Sequence, residues 1–264
     1  MMVMNFVVIV AACYLVLCAV LFFIQEKLIF FPEKMQADAN FAFKHPFKEL
    51  KVNSRDGTPL SAVLFTANQS RGLVFYLHGN AGSIQSWGSE AEFFNGLAYD
   101  VCMMDYRGYG KSGGRINSEE QFLDDIECVY REMLGLYSEK DVVVLGYSLG
   151  TGAATWLASR HHPRLLILQA PYFNIRDMMQ RRFPFVTTRI LKYNFSTNEW
   201  LPACKMPVCI FHGDHDEVIY FGSSVKLQSL FKQEDTLITL KSQMHMGMIE
   251  NPFYRTAMQE LLVK

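Results

Sequence analysis

VVVLGYSLGTGAA, residues 142–154, joins a short β-branched run to a serine set between two glycines and then to a string of small residues. The run reads as a buried strand and the small residues as the opening of a helix, so Ser148 falls on the turn between them. Glycines at positions 146 and 150 leave room for neighbouring backbone, and the helix N-terminus turns free N–H groups and partial positive charge toward the serine. A G-x-S-x-G turn in that setting is a nucleophile elbow, which makes Ser148 a candidate nucleophile rather than an ordinary helix cap.

Outward from this turn the chain keeps one rhythm. Short apolar runs at 72–77, 101–104, 142–145, 165–168, 208–211 and 237–240 predict buried parallel strands, and residues 48–67 predict a hairpin turning at Arg55-Asp56-Gly57. Helix-length segments lie between them, near 84–97, 118–137, 148–160, 220–232 and 249–263; Ser118 with Gln121 is a capping-box signature for the second. This alternation predicts an α/β domain with a mostly parallel sheet covered by helices on both faces, its chemistry beyond the carboxyl ends of the strands. Residues 171–205 break the rhythm and predict an excursion over the sheet.

A serine hydroxyl needs a base, and the base needs an orienting acid, so both are sought at other strand ends. His245 follows the last strand. Asp214 and Asp216 both follow the strand at 208–211, and either could face it. The order serine, acid, histidine is the one a nucleophile elbow requires. Another strand end carries His78-Gly79-Asn80-Ala81-Gly82, where the N–H of Asn80 can join the N–H of Leu149 in an oxyanion hole. The same order argues that His78 fixes its loop rather than serving as base.

Other chemistries fit poorly. Gly110-Lys111-Ser112 mimics the end of a phosphate-binding loop, but the first glycine of that motif would fall at Asp105. His212, Asp214, His215 and Asp216 lack a further ligand region, so no metal and no cofactor is expected. The formal net charge of −1 gives no field for nucleic acid, and six cysteines without a CxxC spacing read as free thiols.

From Met1 to Ile24 the only polar side chain is Asn5, and as a helix this run would rise about 36 Å, enough to cross a bilayer core. A cleaved signal would carry a basic start, a shorter core and a small-residue cleavage site, and none is present. Val10-Ala11-Ala12-Cys13 looks like a lipoprotein box, but the apolar run continues past it. The expectation is a single-pass anchor over 1–26, a juxtamembrane segment over 27–46 and a body over 47–264. Lys27 and Lys34 on the C-terminal side of the anchor place that body on the cytoplasmic side.

With H-G-N-A-G at 78–82, D-Y-R-G-Y-G-K-S at 105–112, G-Y-S-L-G at 146–150 and H-G-x-x-D-x-x-V from His212 in order, the chain from about Phe47 resembles the α/β-hydrolases. Together with its N-terminal segment it is similar to membrane-tethered α/β-hydrolase domain-containing proteins, whose relatives include protein depalmitoylases and uncharacterised bacterial hydrolases. The resemblance implies the α/β-hydrolase fold, Ser148 as nucleophile, Asp216 rather than Asp214 as acid, and His245 as base. One departure stands out: the family usually has Gly before the histidine, whereas Met244 and Met246 flank His245 here.

The excursion, taken as a cap over 172–205, mixes Arg176, Arg181, Arg182, Arg189 and Lys192 with Phe183, Phe185, Tyr193, Phe195 and Trp200. A basic and aromatic cap suits an apolar acyl substrate at a lipid surface, and an ordinary amphipathic lid would show the same composition. The expected activity is hydrolysis of a carboxylic ester or thioester through an acyl-enzyme. An aminopeptidase-like amide hydrolase and a membrane-tethered binding module with an idle triad are the alternatives.

Overall fold

The computed structural model describes residues 1–263. It opens with a 28-residue helix, α1 (Met2–Ile29), long and apolar enough to cross a membrane. A two-residue strand, β1 (Phe31–Pro32), follows. The hairpin β2 (Phe47–Asn53) and β3 (Pro59–Phe65) turns through Gly57. Next come β4 (Leu73–Leu77), a second two-residue strand β5 (Ala81–Gly82), α2 (Ile84–Trp87) and α3 (Ala91–Gly96), β6 (Asp100–Met104) and α4 (Glu119–Leu134). The elbow joins β7 (Val142–Tyr147) to α5 (Leu149–Arg160), and β8 (Leu165–Gln169) leads into the cap with α6 (Ile175–Arg182) and α7 (Thr197–Trp200). The chain finishes with β9 (Val208–Gly213), α8 (Gly222–Gln228), β10 (Thr236–Leu240) and α9 (Pro252–Val263).

Eight strands form one sheet in the order β10-β9-β8-β7-β4-β6-β3-β2, and all run the same way except β3, which is antiparallel to both of its neighbours. The central strands β4, β6, β7 and β8 are buried throughout because helices cover both faces. One apolar core lies on each face: Phe75, Val144 and Leu168 point into one, and Val74, Val143 and Ile167 into the other. From β4 the chain first adds β6 on one side and then returns to place β7 on the other. That reversal opens a crevice between the carboxyl ends of β4 and β7, where the Gly79–Gly82 loop and Ser148 meet.

Four details depart from the sequence expectation. β10 is an edge strand, and of its five residues only Leu240 is buried. The segment 84–97 is two short helices joined by a 3₁₀ turn. At α4 the box is split: Ser118 Oγ accepts the Gln121 N–H, but the Gln121 side chain reaches the Asn117 N–H. Finally, α1 runs on to Ile29, and the segment after it is knitted to the body. β1 pairs with β5, Phe31 N–H donates to Asn80 O (2.9 Å), and Met35 N–H donates to Gly110 O (2.9 Å).

Candidate active site

Ser148 sits at φ 50°, ψ −114°, in the left-handed half of backbone space that side chains rarely enter. Its N–H donates to Gln169 O at 2.9 Å, which holds the strained turn against β8. The flanking glycines are required by contact: a Cβ on Gly150 would lie 2.1 Å from Leu77 O, and one on Gly146 would lie 2.5 Å from Gly150 O. No side chain fits there without separating α5 from β4.

His245 and Asp216 arrive from the loops after β10 and β9. His245 Nδ1 lies 2.7 Å from Asp216 Oδ2, and its Nε2 lies 3.1 Å from Ser148 Oγ. Because an ionised carboxylate only accepts, Nδ1 carries the proton and the Nε2 lone pair faces the serine hydroxyl. Burial pushes the Asp216 carboxyl up, but hydrogen bonds from His212, His245 and the Ile219 N–H outweigh it and hold it well below the usual carboxylate range. Oδ1 takes the N–H groups of Val218 (2.8 Å) and Ile219 (2.7 Å).

Asp214 faces elsewhere, accepting from Ser242 N–H (2.6 Å) and pairing with His215 Nδ1 (2.7 Å). Met244 and Met246 are 56% and 54% exposed, whereas His245 is 6% exposed. The two methionines therefore point to solvent and leave the imidazole in place. The histidine's backbone is tied at both ends: its N–H donates to Glu217 Oε2 (3.1 Å) and its carbonyl accepts the Tyr147 hydroxyl. Tyr147 immediately precedes the serine, so one side chain couples the His245 loop to the elbow.

Sequence reasoning weighed His212 only as a metal ligand and missed its contact with Asp216. Its Nε2 lies 3.1 Å from both Asp216 Oδ2 and Ile219 O, so that nitrogen carries the proton, and Nδ1 accepts from the Ser224 hydroxyl at 2.6 Å. The acid thus takes an imidazole N–H from each side on one oxygen. The H-G-x-x-D spacing was the available signal, since it puts His212 four residues before Asp216. Among the described residues no group of His, Cys, Asp and Glu is arranged to hold a metal ion.

Asn80 and Leu149 line the cavity beside Ser148, and the backbone N–H of neither is engaged by another protein acceptor among the described residues. Asn80 itself is braced from three directions. Its carbonyl accepts Phe31 N–H and the Tyr109 hydroxyl (2.7 Å), and its side-chain amide donates to Ile29 O (3.0 Å). The D-Y-R-G-Y-G-K-S stretch therefore supports this loop through Tyr109, while Arg107 pairs with Asp125 (2.6 Å) and Asp56 (2.7 Å). His78 is fully buried against Tyr106, its Nδ1 2.7 Å from Gly79 O; burial lowers its pKa to about 4, so it stays neutral.

Two spaces meet at Ser148. On one side a cavity of about 270 Å³ runs between α1 and the cap, with Leu21, Leu28, Met178, Met179 and Phe183 among its walls. The other side is wider, near 600 Å³, more polar, and carries Glu33, Glu90 and Glu250. Burial raises the Glu90 carboxyl to about 7, against a hydrogen bond from Tyr76 (2.6 Å) that lowers it. A folded pKa above the unfolded one means stability present below about 4.5 and lost as pH climbs through 7. Glu90→Gln should therefore raise Tm at pH 8, by up to about 3 kcal/mol of stability, and leave it nearly unchanged at pH 4. Thermal melts at the two pH values check this; an equal shift at both would contradict the burial account.

A family model described as "Serine aminopeptidase, S33" matches residues 68–198, which include Ser148 and stop before Asp216 and His245. An uncharacterised protein of Mycobacterium tuberculosis is 28% identical over 220 residues, covering 80% of this chain and 78% of that protein. The lysophosphatidylserine lipase ABHD12 of Danio rerio is 31% identical over 193 residues, covering 64% of this chain and 49% of the lipase, so the match spans about half of that relative. Among solved structures, an esterase of Pyrococcus furiosus superposes with a TM-score of 0.69 at 19% identity, covering 89% of this chain and 97% of the esterase.

Proposed function

We propose that this chain, which has the α/β-hydrolase fold, is a hydrolase of the esterase and lipase type and cleaves carboxylic esters or thioesters of apolar acyl groups. The observation that carries the proposal is the 3.1 Å contact of Ser148 Oγ with a histidine whose other nitrogen is fixed by Asp216. His245 takes the serine proton as Oγ attacks the acyl carbon. The N–H groups of Asn80 and Leu149 hold the oxyanion, each such donor being worth about 3 kcal/mol in the transition state. The imidazolium then protonates the leaving oxygen or sulfur, and a water activated by the same histidine releases the acid.

The apolar cavity at Ser148 supports an acyl chain as the substrate's main handle. The lipase relative supports a lipid ester, and α1 supports a body held at a membrane. One observation favours a second reading, an amide substrate bearing an amino group: Glu33 and Glu250 on the wider side of Ser148 could hold an ammonium. The binding-module reading drew on Met244 and Met246, and their exposure removes its basis.

Full-length protein in detergent separates the two. The expected result is turnover of p-nitrophenyl and acyl-thioester substrates, with kcat/KM at least a hundredfold above that for amino-acyl p-nitroanilides. The reverse preference would replace the ester reading with the amide one.

A further inference from the structure

The cap does more than cover Ser148; it climbs the side of α1. Gln25 Nε2 donates to Ile190 O (2.7 Å) and its Oε1 accepts Lys192 N–H (2.9 Å), while Glu26 pairs with Lys192 Nζ (3.1 Å) and Tyr193 OH (3.1 Å). About three turns nearer the N-terminus, the Tyr14 hydroxyl accepts the N–H of Thr187 at 3.1 Å. Tyr14 to Ile29 is about 22 Å along the axis. The uncharged stretch of α1 ends at Gln25, and a bilayer core takes about 20 helical residues. Tyr14 and Leu21 thus lie at hydrocarbon depth whenever α1 spans, and the cap edge that touches them lies there too. That edge presents Phe183 and Phe185, 52% and 90% exposed, to whatever surrounds the helix.

The cavity reaches the same place. Leu21 of α1, Phe183 of the cap and Ser148 all line the same cavity. We infer that the cap edge is immersed in the bilayer beside α1, and that the acyl site opens sideways into lipid between Leu21 and Phe183. The substrate is then a membrane-resident ester whose chain slides from hydrocarbon to Ser148 without crossing water. Arg182 and Arg189, both exposed residues of this stretch, have side chains long enough to reach back from it to lipid phosphates. The membrane helix becomes one wall of the substrate site. The inference rests on α1 spanning a bilayer and on the hydrolase reading of Ser148.

A nitroxide at position 185 tests the immersion without reference to turnover, using Phe185→Cys in full-length Cys13→Ser protein reconstituted in phosphatidylcholine nanodiscs. Collisions with oxygen should exceed those with a water-soluble nickel chelate at 185, and the reverse should hold for Leu136→Cys on the far side of the body. Nickel-dominated collisions at 185, as at a water-facing site, or few collisions with either reagent, as at a protein-covered site, would overturn the immersion even if ester turnover is normal. The wall is tested by Leu21→Trp, which should lower the ratio of kcat/KM for p-nitrophenyl dodecanoate to that for the butyrate at least tenfold. An unchanged ratio in active protein overturns the sideways opening. Absence of ester turnover in wild-type protein, with oxygen-dominated collisions at 185, would instead defeat the proposed activity and leave the immersion standing.

Discussion

Ser148→Ala is expected to lower kcat for a long-chain ester by a factor on the order of a million, with KM little changed. The size follows from what the substitution removes. Without Oγ there is no covalent intermediate, and His245 is left as a base with nothing to deprotonate but water. What remains is the oxyanion loop and the apolar cavity, and those alone leave roughly 10³ to 10⁴ over the uncatalysed rate. KM is spared because the walls that hold an acyl chain come from α1 and the cap. The fold should also survive, since the turn is held by the Ser148 N–H to Gln169 O and by the glycines on either side, all of which remain. Initial rates over a range of ester concentration check this, and a variant within tenfold of wild type would exclude Ser148 as the nucleophile.

Asp216→Asn should cost kcat a factor on the order of 10⁴, and Asp214→Asn less than tenfold. An amide at position 216 can offer an N–H to His245 Nδ1, which turns the imidazole into the tautomer whose Nε2 carries the proton. Such a histidine cannot accept from Ser148. The carboxylate also matters as a charge, because it stabilises the imidazolium that forms as Oγ attacks. Here it is shared with His212, whose Nε2 lies 3.1 Å from the same oxygen. His212 is also held by Ile219 O and the Ser224 hydroxyl, so it stays in place on that oxygen when position 216 is changed. Asp214 holds only Ser242 and His215, two residues away in sequence and on a different partner set. Parallel kcat measurements on the two variants decide between the carboxylates, and a larger loss at 214 would reverse the assignment.

The sheet was legible because its strands are buried on both faces and so read as unbroken apolar runs, Val142 to Leu145 being the clearest. The half-exposed edge strand at 236–240 was harder, since an edge strand need not be apolar. The elbow was legible because contact forces glycine at 146 and 150. Choosing between Asp214 and Asp216 was not possible from residue order, because the two differ only in how a tight loop turns between them. The largest omission was the union of α1, the cap and the Gly79–Gly82 loop. Gln25 bonding to Ile190 and Asn80 bonding to Ile29 join residues far apart in sequence through single polar groups, and neither apolar periodicity nor motif spacing registers such pairs. Composition described the cap as basic and aromatic; only its packing against α1 shows which of those side chains face the helix.

Everything proposed for turnover depends on Ser148 being activated in the folded protein. A fluorophosphonate probe reads this directly, because it phosphonylates a serine whose proton a neighbouring base can take and spares an ordinary hydroxyl. The expected result is stoichiometric labelling of full-length protein, mapped by mass spectrometry to Ser148 and abolished in His245→Ala. Wild-type protein that stays unlabelled while folded, or labelling at a different serine, would contradict the hydrolytic account.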